Sequence, residues 1–349
     1  MPDRETTATD APDGSAAPEG SAASSAFEPE GSAASQREMM RLVAELYYAR
    51  NLGQPEIATL TGFSVSKVSR LLAAARAAGI VRISVEETPA EPTPIERALS
   101  AALGIETWVT PGHDPTPAVA ARLCGVAAAP RLAEELPEDG AIGLTGGYTV
   151  ESLVGAMPAA ARPRAVVVPL VGGWDSSNPH LNSNEIARRF AERLGAQVRL
   201  LHAPGLLDDE ATTAALLADS AVTATTRYWG ELRLALVGMS GPPRQTPGYG
   251  TVMDRLDEQG RDRLAARGAV GDVAGHLVRI DGSFLADEWE RRTISIPLET
   301  LRKVPRVVGI AAGSNKVETI VAGSRSGLLT LLITDEPTAT AALALLATR

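Results

Sequence analysis

The feature that most constrains this chain is Gln54 to Val85, QPEIATLTGFSVSKVSRLLAAARAAGIVRISV, in which two short helical periodicities flank a glycine turn. Gln54 to Thr61 reads as a first helix with Ile57, Ala58 and Leu60 directed inward, ended by Gly62, whose backbone tolerates the left-handed conformation of a helix stop. Ser64 is placed to cap a second helix, on which Val65, Val68, Leu71, Leu72 and Ala75 recur at spacings of three and four. Ser66, Lys67, Ser69 and Arg70 fall off that stripe. Such a face suits a DNA major groove: small hydroxyls allow close approach, and Lys and Arg neutralise phosphate or bond guanine edges. Gly79 ends the helix, and Ile80 to Val85 then alternates as a strand that either forms a small wing or leads out of the domain. An ordinary helical hairpin with a solvated basic face would show the same spacing, so spacing alone does not decide between the two.

Charge bears on that choice. Residues 1–35 carry a net charge of −6, residues 36–85 a net +4 and the remaining 264 residues −7, within a total of −9. A positive island in an acidic chain is the electrostatic footprint of a nucleic-acid module, because phosphate contacts supply most of the non-specific affinity. The expected DNA-facing residues are Gln54, Ser64, Val65, Ser66, Lys67, Ser69 and Arg70, with double-stranded DNA as partner. Gln36 to Arg50 forms a preceding helix with Met39, Met40, Leu42, Val43, Leu46 and Tyr47 on its apolar face. Tyr47 and Tyr48 are read as core residues, since a duplex reader needs no stacking platform.

The expected organisation is a disordered tail over 1–35, a helix-turn-helix domain over 36–87, a linker over 88–93 and an effector and oligomerisation domain over 94–349. The tail is rich in Ala, Ser, Pro, Gly and acids and cannot repay its ordering entropy. The prolines and acids of Glu86 to Pro94 make a stiff linker. The single cysteine, Cys124, leaves no internal disulfide framework and no Cys-based zinc site, and reads as a small buried hydrophobe. No metal and no cofactor is expected. With no signal-like start and no run of eighteen apolar residues, a cytoplasmic location without membrane contact is expected.

A helix at Ile95 to Leu103 opens an alternation of strand and helix that predicts a mostly parallel α/β sheet. Strands are expected at Ala141 to Leu144, Ala165 to Val171, Gln197 to His202, Leu232 to Met239, Leu277 to Ile280, Thr293 to Leu298, Val307 to Ala311 and Leu328 to Ile333. Helices are expected at Val150 to Met157, Asn182 to Gly195, Glu210 to Thr226, after Lys316, and at Glu336 to Ala347. Thr145-Gly146-Gly147-Tyr148-Thr149 joins a strand to a helix, where backbone N–H groups and the helix dipole favour an anion. It lacks the Walker and dinucleotide spacings. Glycine also serves such turns for backbone reasons alone. Gly172-Gly173 lies at a strand's C-terminal edge, where ligands of open sheets collect. Lys316, in a first helical turn, works against the helix dipole unless an anion joins it, or it is a surface lysine. Asp272 could accept sugar hydroxyls or cap a turn.

The run ELYYARNLGQPEIATLTGFSVSKVSRLLAAARAAGIVRISV resembles the DNA-binding domain of the SorC/DeoR-type sugar-binding transcriptional regulators. The resemblance continues through Ile142 to Thr149, Pro169 to Gly173, Asn184 to Ala196, Gly268 to Asp272, Ala312 to Lys316 and Gly327 to Glu336, covering about residues 37 to 347. It implies a Rossmann-like α/β effector domain similar to sugar-phosphate isomerases, with catalysis lost and a sugar or sugar phosphate bound as signal. By motif position it implies an effector site of Thr145, Gly146, Gly147, Tyr148, Thr149, Gly172, Gly173, Asn182, Asp272 and Lys316. Tyr148 stands where a threonine is common, and Val171 where some members have arginine. A homo-oligomer, dimer or tetramer, is expected, since one short recognition helix gives little affinity alone. The alternative is an active isomerase or deaminase with a DNA-binding appendage. Its acid and base would have to come from near the glycine turn, yet His113, His180, His202 and His276 are scattered, with only His180 near such a turn.

Overall fold

The computed structural model describes residues 33–81, 91–112, 116–173, 178–245, 253, 256–286 and 288–348. The chain divides into two compact units, Met1–Thr88 and Pro89–Arg349. The expected tail falls almost wholly outside the described residues, as do residues 82–85 of the expected wing; Ile80 and Val81 belong to no strand.

In the first unit, α1 (Ala33–Ala44) runs into a π turn, Glu45–Ala49, and is followed by α2 (Gln54–Thr61) and α3 (Val65–Ala77). Val43, Leu46, Ile57, Val68, Leu71 and Leu72 form its core. Gly62, at φ 71°, ends α2, and Ser64 Oγ caps α3 by accepting the Lys67 N–H at 3.2 Å. Four expected core positions are corrected. Leu60 is 67% exposed, because α2 turns the arc of Ile57, Ala58 and Thr61 inward and Leu60 projects about 100° away from its centre. Val65, at the first position of α3, and Leu42 are also exposed. Tyr47 packs on the core, whereas Tyr48 stands edge-on to it at the surface.

The second unit begins with α4 (Pro94–Leu103), β1 (Glu106–Thr110), α5 (Pro117–Ala133), β2 (Asp139–Leu144), α6 (Tyr148–Ala156) and β3 (Arg164–Pro169). It continues through α7 (Ser183–Leu194), β4 (Gln197–Val198), α8 (Glu210–Ala218), α9 (Ser220–Thr226) and β5 (Leu232–Gly238). Then come α10 (Glu258–Ala266), β6 (Ala269–Val273), β7 (His276–Arg279), α11 (Glu288–Arg292) and α12 (Leu298–Leu301). The chain closes with β8 (Arg306–Ile310), α13 (Val317–Arg325), β9 (Leu331–Asp335) and α14 (Glu336–Ala347). Seven strands form one parallel sheet in the order β1-β9-β8-β5-β2-β3-β4, and β6 and β7 form a separate antiparallel hairpin. One face of the sheet buries Trp108, Leu132, Leu144, Leu153 and Phe190; the other buries Leu170, Trp229, Ile294, Ile320 and Leu332. That two-sided burial explains why these strands read as continuous apolar runs.

From β2 the chain winds outward through β3 to β4, and from β5 it winds the other way through β8 and β9. Adjacent β2 and β5 therefore flank the topological switch point, whose C-terminal edge is the place where open α/β sheets hold ligands. The register pairs Leu144 of β2 with Leu236 of β5, and an isolated bridge between Met239 and Val273 brings the β6–β7 hairpin to the end of β5.

Three expected elements differ. The strand expected over Gln197 to His202 pairs only at Gln197 and Val198, because the Asn184 side chain then takes the Leu201 N–H at 2.8 Å and its carbonyl at 3.0 Å. The helix expected over Glu210 to Thr226 is two, with Asp219 ending the first and capping the second through the Ala221 N–H at 2.8 Å. Thr293 to Leu298 forms only isolated bridges, Ser295 to Val171 and Thr293 to Leu206. Neither β1 nor α5 was distinguishable in the sequence, α5 because its alanine-rich run carries almost no one-sided pattern.

Candidate functional site

A cleft enclosing about 770 Å³, part of it open to solvent, opens at the switch point. The turn after β2, the segment after β5, the β6–β7 hairpin, the loop after β8 and the first turns of α5 all line it.

Gly147 leads into α6 with φ 109° and ψ 162°, a conformation that only glycine adopts without strain. The Thr145 hydroxyl, expected as a ligand donor, accepts the Gly238 N–H at 2.8 Å and ties β2 to β5 across the switch point. Thr149 Oγ1 is buried, and so is Asn315 Oδ1; neither has a hydrogen-bond partner among the described residues. A buried polar atom without a partner forfeits the free energy of its lost hydration. Both residues line the cleft.

Asp272 is held from several sides. Its N–H donates to Ser240 Oγ at 3.0 Å, its Oδ2 accepts the Gly275 N–H at 3.0 Å, and its carbonyl accepts the Ser240 N–H at 3.2 Å. Gly271 permits this approach: a Cβ there would lie 2.5 Å from the Ser240 carbonyl oxygen and 2.1 Å from Thr319 Oγ1. Burial raises the Asp272 carboxyl above the usual carboxylate range, against hydrogen bonds from Ser240 and Gly275 and the charges of His276 and Lys316. Lys316 is partly buried at the start of α13. Burial pushes its ammonium down to about 8, against the pull of Cys124 and Asp272. No carboxylate of the described residues lies within ion-pair distance of it. The Cys124 thiol nearby is pushed up to about 12 by burial, which keeps it a neutral hydrophobe.

The cleft thus brings together Thr145, Gly146, Gly147, Tyr148, Thr149, Asp272 and Lys316, but Gly172, Gly173 and Asn182 are not in its lining. The glycine pair serves a chain crossing: the Gly172 and Gly173 N–H groups donate to Ile294 and Ala203, and a Cβ on Gly172 would lie 2.5 Å from the Pro204 carbonyl oxygen. Asn182 caps α7 through the Asn184 N–H at 2.9 Å. Ser240, Gly241 and Asn315 also line the cleft; no residue pattern marks them as ligands, although each follows a strand at the ligand-bearing edge. None of the described histidines lines it: His180 borders a separate surface depression beside Tyr148, and His276 Nε2 lies 2.8 Å from the Ile296 carbonyl oxygen.

In the first unit, Ser66, Ser69 and Arg70 are exposed on α3, Gln54 is partly exposed at the start of α2, and the Lys67 ammonium lies 4.1 Å from the centre of the Phe63 ring.

The family model "Putative sugar-binding domain" matches residues 88–344. The sorbitol operon regulator of Klebsiella pneumoniae is 29% identical over 305 residues, covering 85% of this chain and 95% of that protein. The erythritol catabolism regulatory protein EryD of Brucella abortus is 29% identical over 304 residues, covering 85% and 94%. The crystal structure of full-length SorC from Klebsiella pneumoniae superposes with a TM-score of 0.66 at 26% identity, covering 88% of this chain and 99% of that one.

Proposed function

The chain belongs to this sugar-binding domain family of SorC/DeoR-type regulators, and from that premise we propose that it is a transcriptional regulator whose operator affinity is set by a phosphorylated sugar. One observation carries the finer reading. At the switch-point cleft, an ammonium without a carboxylate partner and the unpartnered Thr149 hydroxyl accompany the first turn of α6, a donor set that matches an anion. Asp272 and Asn315 offer acceptors for sugar hydroxyls in the same cleft. The residues Gln54, Ser64, Val65, Ser66, Lys67, Ser69 and Arg70 form the DNA-facing surface, and the protein works as a symmetric oligomer in the cytoplasm. Ligand favours one arrangement of the protomers and so shifts operator affinity.

Catalysis plays no part in this reading, which is supported by relatives named as regulators and by the absence of a described histidine from the cleft. Thermal-shift titration with a panel of sugars and their phosphate esters tests the ligand class. One phosphate ester should stabilise the protein while its parent sugar does not, and Lys316→Ala should weaken that response at least about tenfold. Stabilisation by the parent sugar alone, or turnover of the ester, would overturn this reading.

A further inference from the structure

Several polar groups of α3 are already committed within the protein. Ser64 Oγ accepts the Lys67 N–H and lies 3.1 Å from Ser66 Oγ, so both hydroxyls take part in the cap. The Lys67 side chain lies back over Phe63. Arg70 Nε reaches the Ser66 carbonyl oxygen at 3.4 Å. Between the two capping serines stands Val65, 46% exposed at the first helical position. Acids and small polar residues are favoured at such a position, and a stiff β-branched side chain gains nothing from solvent there.

A lone exposed apolar residue on an ordinary surface means nothing. This one occupies the turn that helix-turn-helix proteins direct at base edges, and its serine neighbours leave room for close approach. The apolar group a base pair presents in the major groove is the C5-methyl of thymine. We infer that Val65 reads a thymine methyl in each operator half-site, while Lys67, held over Phe63, supplies charge to the backbone. The inference rests on the DNA-binding reading above.

The full-length protein is footprinted on its operator, and each thymine of the protected half-site is replaced in turn by deoxyuridine, which lacks only the methyl group. One position should weaken wild-type binding roughly fourfold, the worth of one buried methyl. Val65→Ala should bind the unmodified operator more weakly by a similar factor and be indifferent to deoxyuridine at that position, so that the two losses do not add. Its thermal unfolding, unchanged from wild type, separates lost contact from lost fold. A specific complex insensitive to every thymine methyl, or a Val65→Ala protein as sensitive as wild type, overturns the inference alone. Failure to form a specific complex with any DNA overturns the DNA-binding reading and the inference together.

Discussion

At the scale of single residues, the cleft depends on a few side chains whose environments oppose their usual behaviour. Lys316 carries its charge where burial disfavours it, holding the ammonium near 8. An anionic effector binds the protonated form, so affinity is full below about pH 8 and lost as pH rises through it. The decline should approach about tenfold per pH unit, one proton per ligand, and level off only where the bound ammonium itself deprotonates. Calorimetric titration between pH 7 and 10 measures this. Lys316→Arg keeps its charge throughout and should flatten the profile; a wild-type profile equally flat would place the anion elsewhere. Thr145, by contrast, spends its hydroxyl on the Gly238 N–H, a structural role that no motif reveals.

At the scale of elements, α5 and α6 pack through Gly125, where a Cβ would lie 2.4 Å from the Thr149 carbonyl oxygen. Gly125→Ala should destabilise the protein by about 1–3 kcal/mol in denaturant unfolding, because backbone must move to admit the methyl. The moved backbone is the first turn of α6, so effector affinity should fall as well; loss of stability with full affinity would mean that the two helices yield elsewhere. Asp219→Ala should cost about 1 kcal/mol by removing the cap that divides α8 from α9. Most of this architecture was legible in the chain. The strands are buried on both faces and bounded by glycine and proline, so β2, β3, β5, β8 and β9 stood out. The limits lay where a side chain replaces a ladder, as Asn184 does beyond β4, or where an acid breaks a helix whose apolar run continues, as Asp219 does. Gly172, Gly173 and Asn182 carried a ligand expectation by motif position, yet they lie outside the cleft's lining. Glycine at a strand end answers equally to ligand approach and to chain crossing, and only three dimensions show the Pro204 carbonyl beside Gly172.

At the scale of the whole molecule, a parallel sheet that reverses its winding between β2 and β5 creates the cleft, and segments well separated in the chain bring their residues to it. Charge is divided along the chain, with residues 36–85 at net +4 and the rest acidic, a distribution that favours DNA contact at that segment alone. The central claim is that ligand in the cleft governs affinity for DNA, and coupling of that kind is reciprocal. The most direct test is a gel shift on DNA from upstream of the protein's own gene, repeated across the panel of sugars and sugar phosphates. The account predicts a specific complex whose affinity one phosphate ester changes by about 5- to 150-fold, with Lys316→Ala binding the DNA normally but losing most of that response. A specific complex that the stabilising ester leaves unchanged would contradict it.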